Sequence, residues 1–411
     1  MLGVSLFGSI IIYRTLATES PDLAQAGQFA VAMAIVRAVM NSIGSAGDLV
    51  VVRSVPVLLE SDPGAAADVV RAAFLLRIGT LFLLLALAYP LRYSFSERFL
   101  HGQDHAAIVL LIGAAATGEL LLRSVISFFQ AAERFERFVA FEAIFQASRL
   151  AMVLTLLATG RLDVSTVLAS YAAMGILTAA VATTQLPRPV FTLRPLPAGV
   201  LREAARYFLW TAFAFGLAAG TERADLFLLG RFRGAEEVGL YGGVLTLAII
   251  PDFIGGMLAT VLQPRVARLR ACGALPAFSR RFMMMMAPLG IIALLLMMVS
   301  ADTIVLLALG PKFVAGVPTF IVLATGSIIT LMLTPVSAVL ISMSAPRTTT
   351  VLTSIQLVLL VGGGILLIPA YGAAGAALLV TGTRIVLSLA IVIIGYRFMR
   401  VPHAAASLST S

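Results

Sequence analysis

Charged residues are scarce in this chain, and their scarcity excludes a water-soluble fold. Of the 411 residues, 12% are charged and 60% are hydrophobic, whereas soluble domains carry about 25% charged residues. A soluble protein of this length could not bury so much apolar surface. The single cysteine, Cys272, excludes an internal disulfide.

Sequence motifs for catalysis and metal binding are also missing. The chain has no phosphate-binding Walker loop, no GxSxG nucleophile motif and no loop long enough for a soluble catalytic domain. His101 and His105 have a spacing that can bind metal on a helix, but Gly102 between them favours a solvated turn. We therefore expect neither an enzyme nor an ATP-driven pump, and no metal site or resident cofactor.

Long apolar runs fill the chain instead. Each is close to the roughly 20 residues that a helix needs to cross a hydrocarbon core of about 30 Å. The fold class predicted is an all-α polytopic membrane protein with about twelve transmembrane helices. The predicted spans are 1–16, 25–47, 70–91, 106–129, 138–159, 164–185, 204–230, 238–262, 282–308, 315–342, 350–369 and 373–397. The first is short, so we expect its helix to be incomplete.

The distribution of arginine predicts the orientation. The net charge is +9 and Lys312 is the only lysine, so the basic excess is almost entirely arginine. Arginines concentrate in every second loop, as around Arg53 and Arg71, which the positive-inside rule assigns to the cytoplasm. Both termini are thus predicted to be cytoplasmic. A proline-rich linker at 187–206 should separate a six-helix bundle at 1–186 from a second at 207–400, followed by a cytoplasmic tail at 401–411.

The two halves form a weak internal repeat at an offset of 212 residues. At this offset Gly27 aligns with Gly239, Gly44 with Gly256, Arg53 with Arg265 and Gly160 with Gly372. Because each half holds an even number of spans, both halves enter the membrane in the same direction. Parallel repeats of this kind predict a substrate pathway in a central cavity between the bundles.

Ionisable residues inside the spans are the best candidates for a site. Each costs on the order of 3 kcal/mol at the bilayer centre and is kept mainly by facing a cavity or a partner. The candidates for binding an anionic substrate are Arg37, Arg53, Arg77, Arg123, Arg149 and Arg384. The candidates for ion coupling are Glu119, Glu142, Glu222, Asp225 and Asp252. Five of the arginines lie in the first half, which suggests an electropositive cavity there, with scattered snorkelling side chains as the alternative.

Several of these charges have a structural explanation that stays open at this point. Glu119 and Arg123, four residues apart, could neutralise each other on one helix face. Arg149 shares a face with Glu142 and could make hydrogen bonds inside the bundle. Arg37 and Arg77 have no acidic neighbour at helical spacing, so each needs a partner on another helix, an anionic ligand or a route to the interface.

The carboxylates of the second half allow the same two interpretations. Glu222-Arg223-Ala224-Asp225 is either a cation-coupling or proton-relay site or a structural knot of ion pairs. Asp252 follows Pro251, where a broken helix could expose carbonyl groups to an ion, or where a kink could simply satisfy the carboxylate.

Several segments resemble the Wzx-type polysaccharide flippases of the multidrug/oligosaccharidyl-lipid/polysaccharide exporter superfamily. The similar segments are ERADLFLLGRFRGAEEVGLYGGVLTL from Glu222, LQPRVARL around Pro264, LGPKFVAGVPTFIVLATGSI from Leu309, IPAYGAAGAALLVTGTRIV from Ile368 and YRTLATESPDLAQAGQFAVAMAIV from Tyr13. The resemblance implies two six-helix bundles around a central cavity. It places Asp225 and Gly239 at recurrent family positions.

The resemblance also implies a function. Such a protein moves polyprenyl-diphosphate-linked oligosaccharide across the bacterial inner membrane by alternating access, for surface polysaccharide and lipopolysaccharide biosynthesis. The expected partners are this lipid-linked substrate, membrane lipids, a polysaccharide polymerase and glycosyltransferases, with H⁺ or Na⁺ as a coupling ion and without nucleic acid. Arginine in the cavity suits a diphosphate group.

Three alternatives remain at the level of sequence. A lipid II flippase shares the anionic substrate, but that family generally has fourteen spans. A multidrug or cation antiporter would want an acidic, aromatic cavity, which Glu222, Asp225 and Asp252 favour and the single Trp210 does not. A membrane scaffold that docks sugar polymerases would make the internal charges structural.

Overall fold

The computed structural model describes residues 2–19, 22–100, 106–187, 195–271, 275–342 and 346–400, and the described residues are almost entirely helical. The helices of the described chain cover all twelve predicted spans, with α9 and α10 together covering the eighth and the two arms of α13 covering the last two. Nine helices of the described chain are long and apolar enough to cross a membrane by length and composition. The predicted fold class, an all-helical multi-pass membrane protein, is confirmed.

The first half begins with α1 (Leu2–Glu19) and α2 (Ala24–Val39). A π-helical turn at Met40–Gly44 joins α2 to α3 (Ser45–Ser61), and the three segments form one long span. Next come α4 (Pro63–Phe95), which a second π-helical turn extends to Leu100, α5 (Ala106–Ala131), α6 (Phe135–Ala158) and α7 (Val164–Thr183). Wide π turns within α-helices recur at functional sites, and the first of these turns lies beside the charged groups described below.

The second half begins with α8 (Ala198–Phe232), α9 (Ala235–Ala248) and α10 (Ile250–Ala271). Then follow α11 (Leu275–Ala308), a short 3₁₀ helix at Pro311–Gly316, α12 (Val317–Ser342) and α13 (Pro346–Arg400). The predicted histidine pair and the tail at 401–411 lie outside the described residues, as do residues 188–194 of the predicted linker.

Packing divides the described chain into two compact units, Met1–Gly242 and Gly243–Ser411. The first unit contains α1 to α8 and the first turns of α9. Helix α8 begins at Ala198, so the last part of the predicted linker is helical. The division at 187–206, which the sequence places by its prolines and charges, stays a prediction about topology.

Glycine at two equivalent positions of the repeat allows a sharp turn between the last two spans of each half. Gly160 (φ 63°) follows α6, and Gly372 (φ 56°, ψ −133°) breaks α13 into two arms. Both φ angles lie in the region that residues with a Cβ adopt only at a cost. The two glycines that the repeat aligns therefore both have a positive φ angle.

Small residues let helices of each unit approach closely. In the first unit, a Cβ at Gly118 of α5 would lie 2.5 Å from the carbonyl oxygen of Ala172 in α7. In the second, a Cβ at Gly326 of α12 would lie 2.9 Å from Oγ1 of Thr381 in α13. In a membrane, such close packing replaces the hydrophobic effect as the force that holds helices together.

Candidate functional site

A fully buried arginine forms the centre of the first charged cluster. Arg77 of α4 has 0% exposure, and its Nη2 donates to Asp48 and, at 2.7 Å, to the carbonyl oxygen of Gly44. Gly44 closes the first π-helical turn. Nη1 lies 3.4 Å from Oγ of Ser127, while Nε has no hydrogen-bond partner among the described residues. Arg77 thus finds on neighbouring helices the partners that its own helix lacks.

A glycine makes room for this guanidinium. A Cβ at Gly47 would lie 2.0 Å from Nε of Arg77, so α3 can pass the buried side chain only at a residue without one. The next residue, Asp48, lies in the first turn of α3 and faces Arg77 directly. Gly47 thus leaves space for the guanidinium of Arg77, and the neighbouring Asp48 supplies its carboxylate partner.

Asp48 binds a second guanidinium. Its Oδ2 accepts from Nε of Arg123 at 2.7 Å, while its Oδ1 accepts from Arg77. The Arg123 side chain is 41% exposed, whereas Asp48 is 15% exposed. One carboxylate therefore serves two arginines, and Arg123 carries the excess positive charge at the accessible side of the cluster.

This geometry changes the pairing that helical spacing suggests. Glu119 and Arg123 do not pair along α5: Arg123 binds Asp48, and Oε2 of Glu119 lies 4.0 Å from Nη1 of Arg149 on α6. Glu142 accepts from Nε2 of Gln146 at 2.9 Å. Arg123 and Glu119 thus have partners on other helices, whereas Glu142 has a partner on its own helix.

Arg149 lies between aromatic rings. Its guanidinium carbon is 3.7 Å from the ring centroid of Tyr171 and 5.1 Å from that of Phe145. Cation–π contacts and the weak pair with Glu119 hold the group inside the bundle, where it is nearly buried.

Two other arginines lie near this group without a carboxylate of their own. Arg37 of α2 is half-buried and is within electrostatic range of Arg223, Arg149 and Glu119. Among the described residues, neither Arg37 nor Arg223 makes an ion pair or a side-chain hydrogen bond. Arg37 and Arg223 therefore add to the excess positive charge that the cluster of Asp48, Arg77 and Arg123 already gives the first unit.

Two acidic residues of α8, Glu222 and Asp225, accept hydrogen bonds from other residues. Oε2 of Glu222 accepts from Nδ2 of Asn41 at 2.9 Å. Asp225 is buried and accepts from the hydroxyl of Tyr241 and, at 2.8 Å, from its own neighbour's amide at Leu226. Together with Arg223, these residues do not form the local knot of ion pairs that their spacing allows.

A charged triad lies in the described part of the second unit. Nη1 of Arg384 donates to Oδ2 of Asp252 at 2.9 Å and to Oγ of Ser327 at 2.7 Å. Ser327 also lies 3.0 Å from Oδ2 of Asp252. Helices α9 and α10 meet at Ile249, just before Pro251, and the amides of Ile249 and Phe253 still donate to the residues four positions earlier, at 3.1 and 3.2 Å. The triad joins α10, α12 and the second arm of α13.

Arg53 lies apart from these clusters. Its guanidinium carbon lies 4.7 Å from the ring centroid of Tyr207, at the edge of a cavity of about 400 Å³ whose lining includes none of Arg37, Arg77, Arg123 or Arg149. No cluster of metal-ligating side chains occurs in the residues that the structure describes.

Sequence reasoning missed Asp48 and gave no role to Arg223. The predicted second span ended at 47, so Asp48 counted as a loop residue rather than as an intramembrane charge. Because the helix continues through the π turn into α3, Asp48 lies within a helix and not in a loop. The sequence places Arg223 in the cluster Glu222-Arg223-Ala224-Asp225, where its charge could be neutralised locally.

Solved structures of membrane transporters have the same fold. The lipid II flippase MurJ in an inward closed conformation matches with a TM-score of 0.76 and 11% identity, over 95% of this chain and 84% of that one. An inward-facing multidrug resistance MATE family transporter of the MOP superfamily matches with a TM-score of 0.73 and 13% identity, over 96% of this chain and 94% of that one. A MOP superfamily transporter from Pyrococcus furiosus matches with a TM-score of 0.68 and 14% identity, over 97% of this chain and 92% of that one. That protein is described as having a binding pocket of reverse polarity.

These similarities show the fold. No curated protein sequence matches the chain significantly. The family model described as "Polysaccharide biosynthesis protein" matches residues 69–318, which is more than half of the chain. The chain therefore belongs to the polysaccharide biosynthesis protein family, and it has the fold of the MOP superfamily transporters and flippases.

Proposed function

We propose that this protein is a flippase for polyprenyl-diphosphate-linked oligosaccharide in the bacterial inner membrane, with both termini in the cytoplasm. It moves the substrate from the cytoplasmic to the outer leaflet by alternating access, and the product serves surface polysaccharide synthesis. Family membership supports a role in polysaccharide biosynthesis, and the transporter fold supports movement rather than catalysis.

The observation that carries the proposal is the unpaired couple Arg37 and Arg223. Arg37 and Arg223 lie on helices α2 and α8, which pack against each other, and no described carboxylate forms an ion pair with either residue. Placing them there is costly unless an anion binds for part of the cycle. A diphosphate offers oxygens for several charge-assisted hydrogen bonds with guanidinium forks.

The paired arginines have a supporting role in the proposal. Arg123 is exposed on one side of the cluster that Asp48 and Arg77 fix, and can add a contact to the sugar or phosphate. Arg149, held between aromatic rings, adds positive potential beside Arg37. Its weak pair with Glu119, at 4.0 Å, can open when a stronger anion arrives.

Transport in reconstituted vesicles tests the proposal. The purified chain is inserted into liposomes with a fluorescent polyprenyl-diphosphate oligosaccharide, and the fraction of label accessible from outside is followed. Arg37→Gln and Arg223→Gln should each slow flipping by about tenfold or more, since each removes a charged hydrogen bond. Arg231→Gln, an exposed arginine at the end of α8, should not. Equal flipping in the parent, both variants and protein-free vesicles would refute the proposal.

A cellular experiment addresses the substrate class. In a deletion strain, lipid-linked oligosaccharide should accumulate on the cytoplasmic side while lipid II stays at the level of the parent strain. Accumulation of lipid II instead would support the second candidate, a lipid II flippase, which the similarity to the MurJ fold favours. Unchanged levels of both would remove the flippase proposal altogether.

The multidrug alternative has less support from the contacts. A cation antiporter needs accessible carboxylates, but Asp252 is bound by Arg384, and buried Asp225 accepts from Tyr241. Glu222 remains as an exposed acidic side chain in α8. If transport is coupled to H⁺ or Na⁺, Glu222 is the carboxylate we propose for that role.

A further inference from the structure

Three helix ends of the first unit enclose a cavity of about 400 Å³. The last turns of α3, the first turns of α4 and the first turns of α8 form its walls. The predicted spans of these helices end at 47 and begin at 70 and 204, and most lining residues of the cavity lie just outside them. We therefore place the cavity at the level of the lipid headgroups. The predicted orientation places it on the cytoplasmic side.

The cavity contains one positive and one negative side chain. Arg53 of α3 and Glu203 of α8 both line it, and no ion pair joins them. Arg53 is held over the ring of Tyr207 at 4.7 Å. Among the described residues, Arg53 has no carboxylate within ion-pair distance, and Glu203 has no basic partner. The two charges are thus presented separately.

The remaining lining is mostly aliphatic and includes Val57 of α3 and Val200 of α8, together with the hydroxyl-bearing Ser54. Val57 is 71% exposed, which leaves an open apolar edge for an acyl chain. An occupant must combine an anionic group, a nearby cationic group and a hydrocarbon tail.

We propose that this cavity binds a zwitterionic phospholipid with a primary ammonium headgroup, such as phosphatidylethanolamine. Its phosphate accepts from the guanidinium of Arg53, its ammonium donates to the carboxylate of Glu203, and an acyl chain lies along Val57. This lipid site is separate from the Arg37–Arg223 pair and does not depend on the flippase proposal.

The experiment compares lipid retention by the full chain in mild detergent, measured by native mass spectrometry. Phosphatidylethanolamine and phosphatidylglycerol with identical acyl chains are titrated separately. The parent should retain phosphatidylethanolamine about tenfold more strongly, because only this lipid satisfies Glu203. Equal or stronger retention of phosphatidylglycerol would overturn the proposal.

Glu203→Gln gives a result with opposite signs for the two lipids. Removing the carboxylate should weaken phosphatidylethanolamine and strengthen phosphatidylglycerol, whereas Arg53→Gln should weaken both. A site for the anionic transport substrate would instead show Glu203→Gln strengthening every phosphate-bearing lipid, and that outcome refutes the zwitterionic assignment.

Three further variants separate binding from folding. Ser54→Phe fills the cavity without changing charge and should reduce phosphatidylethanolamine retention. Glu60→Gln and Arg202→Gln remove exposed charges close in sequence that do not line the cavity, and they should match the parent. Identical retention in all variants would show that the bound lipid is elsewhere.

Discussion

Gly27 and Gly239, which the repeat aligns at an offset of 212 residues, pack against each other. A Cβ at Gly27 would lie 2.0 Å from the carbonyl oxygen of Ala235 and 3.1 Å from the amide of Gly239. A Cβ at Gly239 would lie 2.2 Å from the carbonyl oxygen of Leu23 and 2.8 Å from the amide of Gly27. Leu23 and Ala235 are themselves equivalent in the repeat, so the contact is reciprocal, as a local two-fold axis requires.

This contact predicts that neither glycine tolerates a side chain. Gly27→Ala and Gly239→Ala each force a methyl group into the backbone of the other helix, and we expect a loss of about 2 kcal/mol or more from overpacking. Gly220→Ala in α8, where a Cβ meets nothing within 4 Å, is the matched control. Thermal unfolding in detergent measures the difference, and equal midpoints for Gly27→Ala and Gly220→Ala would contradict the packing.

Asp48→Asn should destabilise the first unit strongly. The change leaves the fully buried guanidinium of Arg77 without its carboxylate, and removing one partner of a buried ion pair costs about 3–5 kcal/mol. Asp62→Ala, which removes the N-cap of α4, should cost only about 1 kcal/mol.

A double variant checks the reason for this loss. Asp48→Asn combined with Arg77→Met removes both charges, and it should be more stable than Asp48→Asn alone. A double variant that is less stable than either single variant would mean that the ion pair is not the source of the effect.

The triad of the second unit makes a prediction about sodium. Asp252 is neutralised by Arg384, so the midpoint of unfolding of the parent should not depend on whether NaCl or choline chloride is present. Arg384→Gln frees a half-buried carboxylate beside the hydroxyl of Ser327, a pair of oxygen ligands that suits a hard cation. This variant should gain stability with Na⁺, by about 2.7 kcal/mol at 100 times Kd.

The control for sodium is Arg384→Gln with Asp252→Asn, which should lose the response. Stabilisation of the parent by Na⁺ to the same extent would show that Asp252 is not held by Arg384 in solution.

The glycines of positive φ give a graded prediction. Gly160→Ala and Gly372→Ala should each cost about 1–2 kcal/mol, because a Cβ opposes this backbone conformation. Gly160→Asn should cost less than Gly160→Ala, since asparagine tolerates positive φ better than most residues. Gly362→Ala, which has open space and no positive φ, serves as the control in the same unfolding measurement. Equal effects at 160 and 362 would argue against the turn.

The sequence predicts the membrane-spanning helices better than it predicts the contacts between their side chains. The described helices cover all twelve spans that apolar runs and charged breaks predict, although several helices are longer than predicted: α3 ends at Ser61 rather than at 47, and α8 begins at Ala198 rather than at 204. The turn at Gly372 also follows from local chemistry. These features depend only on residues close in sequence, namely on the hydrophobicity of a run and on the backbone conformation that a glycine allows.

The roles of the charged residues could not be predicted in the same way. The spacing of Glu119 and Arg123 suggested a local pair, whereas the structure gives Arg123 to Asp48 and brings Glu119 to Arg149. The predicted second span ends one residue before Asp48, whereas the helix continues to Ser61, so Asp48 was not among the predicted intramembrane charges. The proposed functions of these residues remain predictions for the experiments above.

The sequence by itself determined that this chain is a helical membrane protein with a two-fold repeat, because hydrocarbon leaves few structures for long apolar runs and every backbone group must be bonded within them. Only the tertiary structure decided which guanidinium meets which carboxylate and which pair, Arg37 and Arg223, is left over. Distances between helices depend on where glycine lets two backbones approach, as at Gly27 and Gly239, and helical periodicity carries no information about that approach.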